Sequence, residues 1–127
     1  MRCALTLLLL LPLSAAAEIL VVDFVKVLDG NDEEARYYYE KNWKKHRIEA
    51  AKRGYISSYK LMIRTSDDGV TDIVLMTGFA SESAYQAREE NFEKVMAPSR
   101  EKGVRLLNEK TPGEFRKVVD NATYVSD

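Results

Sequence analysis

The stretch ILVVDFVKV, Ile19–Val27, constrains this chain more than any other. It is β-branched, almost continuously apolar and short, which reads as a strand covered on both faces. Successive side chains of a strand point to opposite sides. Val21, Val25 and Val27 therefore share one face, and Leu20, Val22 and Phe24 share the other. VTDIVLMTGFA, Val70–Ala80, repeats the pattern, with Ile73, Leu75 and Phe79 opposed to Val74 and Met76. A fold that covered only one of these faces would leave a large apolar patch in water, which soluble monomers avoid.

The remaining segments place these strands in an order. DGND breaks the first strand, and Asn31 with Glu34 makes an N-cap pair for a helix that Gly54 stops, after Lys52 and Arg53. YISSYKLMIRT, Tyr55–Thr65, alternates, with Tyr55, Ser57, Tyr59, Leu61 and Ile63 on one face. Asp68-Gly69 then turns the chain into Val70–Ala80, giving a hairpin. Ser83-x-x-Gln86 resembles a capping box at the start of a second helix, which Pro98 breaks or kinks, with Ser99–Asn108 continuing as a helical piece. EFRKVVDNATYV supplies one or two short strands. The order β-α-β-β-α-β belongs to the α+β class and gives a ferredoxin-like sandwich, with two helices on one face of an antiparallel sheet. The second apolar face then calls for a second copy, sheet against sheet, at roughly 25 cal/mol per Å² of apolar area buried. The expectation is a homodimer.

The first residues, MRCALTLLLLLPLSAAAE, have the form of a secretory signal: Arg2, an apolar run from Ala4 to Leu13, and Ala15-Ala16-Ala17 before Glu18. Cleavage between Ala17 and Glu18 leaves 127 − 17 = 110 residues, a single domain over 18–127 that is secreted or periplasmic. The apolar run is shorter than the ~20 residues a membrane span needs. Cys3 leaves with the leader, so the mature chain holds no cysteine for disulfides, thiolate metal sites or nucleophiles. Losing Arg2 moves the formal charge from −1 to −2, without the basic footprint of a nucleic-acid binder.

With the two-faced strands and the β-α-β-β-α-β order in place, the chain resembles the dimeric α/β-barrel superfamily, in which two ferredoxin-like protomers join their sheets. NWKKHRIEAAKRGYISSYKLM is similar to uncharacterised secreted bacterial members, with a W-x-x-H helix, a glycine stop and an aromatic on the second strand. The resemblance covers Glu18–Asp127 and implies the fold and the dimer. It leaves the activity open, because cofactor-independent monooxygenases, heme-degrading enzymes, heme peroxidases, isomerases and plain ligand binders share this fold.

Trp43 and His46 are the chain's single tryptophan and single histidine. At 100° per residue Ala35, Tyr39, Trp43, His46 and Ala50 fall on one helical arc facing the sheet. Lys41, Lys44, Lys45, Arg47, Lys52 and Arg53 form a basic face, set against the acidic Glu82, Glu89, Glu90 and Glu93 of the second helix. Such runs serve as a partner surface or, more commonly, as solvated faces. His46 is a general base, a proton shuttle or an iron ligand, or else a core histidine bonded to a strand carbonyl or a tyrosine. The lack of a second histidine and of cysteine in the mature chain argues against a structural zinc site.

Tyr39, Trp43, His46 and Tyr59 are the expected lining of a ligand cavity between the first helix and the sheet. Asn42 and Asp23 are candidate orienters of His46, or Asp23 pairs with Arg64 or Lys60 across the sheet. The heme-degrading branch uses an Asn, a Trp and a His from different elements, whereas here all three lie within five positions of one helix. Heme is thereby reduced to a minor alternative. Asn121-Ala-Thr123 is a glycosylation sequon, relevant only in a eukaryotic host. Three readings stand at this point: a binder of a small apolar or aromatic ligand, a cofactor-free oxygenase or heme-using enzyme on the same pocket, and a structural dimer with a filled core.

Overall fold

In the computed structural model, which describes residues 17–69 and 71–127, the first strand, β1, is Ile19–Val27. The leader read over residues 1–17 lies, apart from Ala17, outside the described residues, as does Val70. β2 (Ser58–Thr65) and β3 (Thr71–Phe79) form the expected hairpin, in register at Ile63 and Ile73. Gly69, at φ +82°, closes its turn by donating to the carbonyl of Ser66 at 2.9 Å. β4 (Arg116–Val125) is one strand of ten residues rather than two short ones. The four-stranded antiparallel sheet has the order β2-β3-β1-β4, so the apolar β1 and β3 take the two central positions. With the helices this is a ferredoxin-like α+β fold.

The first helical segment is not uniform. α1 (Asp32–Tyr38) passes into a π-helical turn, Tyr39–Trp43, and then into α2 (Lys44–Lys52). The amide of Lys44 donates to the carbonyl of Tyr39, five residues back. That spacing adds one residue to the turn and rotates everything after Trp43 relative to an α-helical wheel. Asn31 does not cap α1 with its side chain: its Oδ1 accepts from Lys110 Nζ at 2.5 Å, and its Nδ2 donates to the carbonyl of Glu114 at 3.3 Å. At the other end Gly54 sits at φ +75°, its amide donating to Ala51 while that of Tyr55 donates to Ala50, at 3.1 and 2.9 Å. This is a Schellman stop, and it turns the chain straight into β2.

The second helical segment starts earlier than expected. Ser81, not Ser83, is the N-cap, its Oγ accepting from the amide of Ala84 at 3.1 Å. α3 (Glu82–Gln86) and α4 (Arg88–Lys102) follow, and α4 carries Pro98 inside it before ending at Gly103, φ +76°. Ser99 to Lys102 therefore belong to α4 itself, and the chain beyond them is not helical until α5 (Pro112–Phe115), a single turn with a Thr111–Glu114 capping box.

Between the helices and the sheet lie two apolar clusters. One gathers Val25, Val27, Ala35, Tyr39, Ile73, Leu75 and Phe115, the other Ile19, Ala50, Ile56, Phe79 and Val95. On β3 the two are separated at Thr77, which lies between Leu75 and Phe79 on the same face and is itself 4% exposed. The opposite face of the sheet carries Leu20, Phe24, Val74 and Met76, half-buried, and Met62 and Tyr124, exposed. Among the described residues no helix covers that side, and none is long and apolar enough to cross a membrane.

Because Gly54 alone makes the left-handed turn into β2, Gly54→Ala is expected to cost about 1–2 kcal/mol in urea unfolding. Gly113→Ala, at an ordinary φ with open space around its Cα, should stay within about 0.5 kcal/mol of the parent.

Candidate functional site

Tyr39, Asn42, Trp43 and His46 come together at one cavity of about 470 Å³. It lies between the first helical segment and α4, not between that segment and the sheet. Tyr38, Arg47, Met96, Ser99, Arg100, Gly103 and Val104 complete its wall. Tyr59 does not line it; that ring meets Trp43 edge to face at 6.3 Å and props the indole from the sheet side. A larger groove of about 620 Å³ lies beyond His46, walled by charged side chains such as Lys44, Lys52, Arg53 and Lys102 together with Ile48, Val95 and Pro98. His46 and Ser99 belong to both walls, joined by a hydrogen bond of 3.0 Å between Nε2 and Oγ. That pair ties α2 to α4 and is the partition between cavity and groove.

The π turn explains why the wheel misplaced two residues. His46 is turned towards α4 and meets Ser99 there, instead of a strand carbonyl or a tyrosine. Arg47, expected on the solvated basic face, is turned inward. Its Nε donates to Thr77 Oγ1 on β3 at 2.9 Å. Its guanidinium lies over the rings of Trp43 and Phe92, 4.9 and 4.3 Å from their centroids. Trp43 packs against the first apolar cluster and Phe92 against the second, so the cation fills the seam between them. Desolvation brings its pKa down to about 10, with Asp23 pulling the other way, and Arg47 stays charged at neutral pH. The sequence signal for this was an aromatic followed four positions later by arginine, which stack on one helix face.

Asn42 does not orient His46. Its Nδ2 donates to the carbonyls of Tyr38 and Arg105, at 2.8 and 2.9 Å, and its Oδ1 accepts from the Arg105 amide at 2.9 Å. The side chain clamps the segment that follows α4 and so fixes one end of the cavity. Asp23 does not reach His46 either: Oδ1 accepts from Asn121 Nδ2 on β4. The Arg64 proposed for Asp23 pairs with Asp72 instead. Asn121 thus engages the amide nitrogen that a glycan would occupy. Several charged side chains of the helices form local surface pairs, such as Lys44 with Glu40 and Lys94 with Glu90.

Two further titrations are set by this packing. Tyr39 is 5% exposed, and desolvation raises its phenol to about 12 against the pull of Arg116, so it serves the site as a neutral ring and hydroxyl. His46 is held below its ordinary value by desolvation first, then by the charges of Arg47 and Lys45. It is a neutral imidazole at pH 7. An iron taking Nε2 would have to displace the Ser99 hydroxyl from it. Among the described residues no group of three His, Asp or Glu side chains could hold a metal ion.

No protein-family model matches the chain, and no curated protein does. Among solved structures it is similar to a Bacillus cereus protein provisionally described as an antibiotic biosynthesis monooxygenase. The two are 17% identical, over 87% of this chain and 93% of that one, with a TM-score of 0.50. A de novo designed protein, Foldit4, matches over 87% of this chain and 97% of its own at 12% identity and a TM-score of 0.43, too low to argue from. The first likeness supports the ferredoxin-like fold.

His46 is expected to titrate below 6.5 when followed by its ring resonances in NMR. A depressed native pKa means that the unfolded chain takes up the proton first. Stability should therefore fall as the pH drops from 6.5 towards the native pKa and level off below it. His46→Gln should remove that part of the pH dependence, and an unchanged profile would place it on other groups.

Proposed function

We propose that this chain is a secreted or periplasmic homodimer that binds a small aromatic or apolar ligand in the cavity between its two helical segments. The cavity carries the proposal. At about 470 Å³ it falls within the roughly 300–1,000 Å³ of small-molecule sites. Its wall combines the rings of Tyr38, Tyr39 and Trp43 and the thioether of Met96 with a few polar groups. Export rests on the leader-like first residues, and the dimer on the apolar outer face of the sheet.

That face is large enough to matter. Four strands about 4.8 Å apart and about 30 Å long present roughly 550 Å² on each copy. Two such faces with their side-chain relief approach the low end of the ~1,200–2,000 Å² buried in specific interfaces. Phe24 and Val74 are cross-strand partners near the middle of the patch. Native mass spectrometry should give twice the chain mass, and Phe24→Lys with Val74→Lys should give a folded monomer. A wild-type monomer, soluble with its outer face bare, would refute the dimer.

For the cavity the probe is naphthamide, a neutral aromatic. It should shift the Trp43 indole N–H resonance saturably, and Met96→Trp, which fills the space, should abolish the shift without unfolding the chain. Absence of any shift in the wild-type chain would remove the ligand reading. A second reading is a cofactor-free oxygenase using the same cavity. It draws on the fold shared with the Bacillus cereus protein and on a neutral His46 beside a fixed positive charge, a pairing suited to proton removal from an acidic carbon or phenol. Oxygen uptake abolished by His46→Gln would favour it over simple binding.

A further inference from the structure

The cavity wall carries charge of one sign. Arg47 and Arg100 contribute to it, His46 beside them is neutral, and no Asp or Glu lines the wall. Arg100 is committed elsewhere, since both of its terminal nitrogens donate to Glu93. Arg47 is not. Nε is used by Thr77, and among the described residues Nη1 and Nη2 have no hydrogen-bond acceptor. Asp23, below it on the sheet, favours the charged guanidinium through space, and its own Oδ1 accepts from Asn121 Nδ2.

Neither terminal nitrogen is sealed from water, since among the described residues the buried and unpartnered side-chain donor is Arg116 Nε, and each carries two N–H groups that a ligand can take over from solvent. With Trp43 and Phe92 stacked on the group and Nε engaged, the edge bearing Nη1 and Nη2 is what remains for a ligand. Two parallel N–H groups match the two oxygens of a carboxylate end-on. The neighbouring surfaces are rings and a thioether, which suit the apolar remainder of such a molecule. One uncommitted cation matches one negative charge rather than the two of a phosphate ester.

We propose that the ligand is a small monocarboxylate with an aromatic or apolar body, its carboxylate held by the terminal nitrogens of Arg47 and its body packed against Trp43, Tyr38 and Met96. This rests on the cavity being a ligand site and adds the charge and anchoring atoms of its occupant. Trp43 fixes the ring side of Arg47, Thr77 fixes its reach, and Asp23 opposes the ligand's charge, so each has a separable effect on affinity.

The test compares naphthoate with naphthamide, molecules of nearly one shape that differ in charge, by calorimetry near neutral pH on the purified chain. Naphthoate is expected to bind about tenfold more tightly. In Arg47→Met, which keeps an unbranched apolar stem between the two rings, the preference should vanish while naphthamide still binds. In Asp23→Asn, which removes the competing negative charge, it should widen by about threefold. Circular dichroism and the Trp43 indole resonance confirm that the variants fold; if Arg47→Met does not, the wild-type comparison and Asp23→Asn carry the test. Equal affinities for acid and amide in the wild-type chain would overturn this inference and leave the ligand cavity standing. Failure of both probes to bind would overturn the two together. A preference that survives Arg47→Met would place the carboxylate on another group and overturn the role assigned to Arg47.

Discussion

A guanidinium held over two aromatic rings above a β-strand is what the helical layer is arranged around. Arg47 needs Thr77 below it and Trp43 and Phe92 against it, and those three residues come from β3, the π turn and α4. A cation can be taken from water at a tolerable cost when its faces meet aromatic quadrupoles and part of its donor set is satisfied. The two apolar clusters would otherwise merge across Thr77. With a polar, charged group between them, the layer between helices and sheet is divided, and the wall that faces α4 opens into a cavity.

The sheet serves two environments at once. On its inner face the central strands contribute Ile19, Val25, Ile73, Leu75 and Phe79, all at most 4% exposed, to the packing against the helices. On its outer face the same strands present Leu20, Phe24, Val74 and Met76. Two-sided apolarity suits strands whose every residue is meant to be removed from water, and among the described residues the helices cover one of the two faces. The site lies on the inner side, away from the outer face. Changes on the outer face should therefore reach the cavity only through the backbone of the shared strands.

Much of this was legible from residue types alone, and what was not has specific causes. Period-two alternation and the Asp68-Gly69 turn placed β2 and β3 to within a few residues, because register errors would turn every apolar side chain of a strand to the wrong face. Gly54 was readable as a stop because a left-handed residue is needed there. Asn31 and Ser83 carried the right chemistry for caps, but Lys110 and Glu114 occupy Asn31, and Ser81 captures the helix start two residues earlier. Tyr39, Trp43 and His46 share one wall as expected, but Tyr59 lies outside it, and the partners of His46, Asn42 and Asp23 were not legible because Ser99, Arg105 and Asn121 are distant in sequence. Arg47 was hidden by an assumption about the helix, namely that every residue advances the wheel by the same angle.

That assumption fails at Tyr39–Trp43, and the failure has a genetic meaning as well as a geometric one. A π turn is what an α-helix becomes when it absorbs one inserted residue without losing its flanking hydrogen bonds. The turn Tyr39–Trp43 holds one residue more than an α-helical turn would, and Tyr39, Asn42 and Trp43 of it form part of the cavity wall. Excising a single residue there would return the segment to a plain α-helix and turn α2 by about 100°. Such a shortened chain would keep its strands and its caps and lose the arginine from the seam. Among chains of this fold, the presence or absence of that one extra residue should thus mark which of them can hold a cation inside and which fill the same space with carbon.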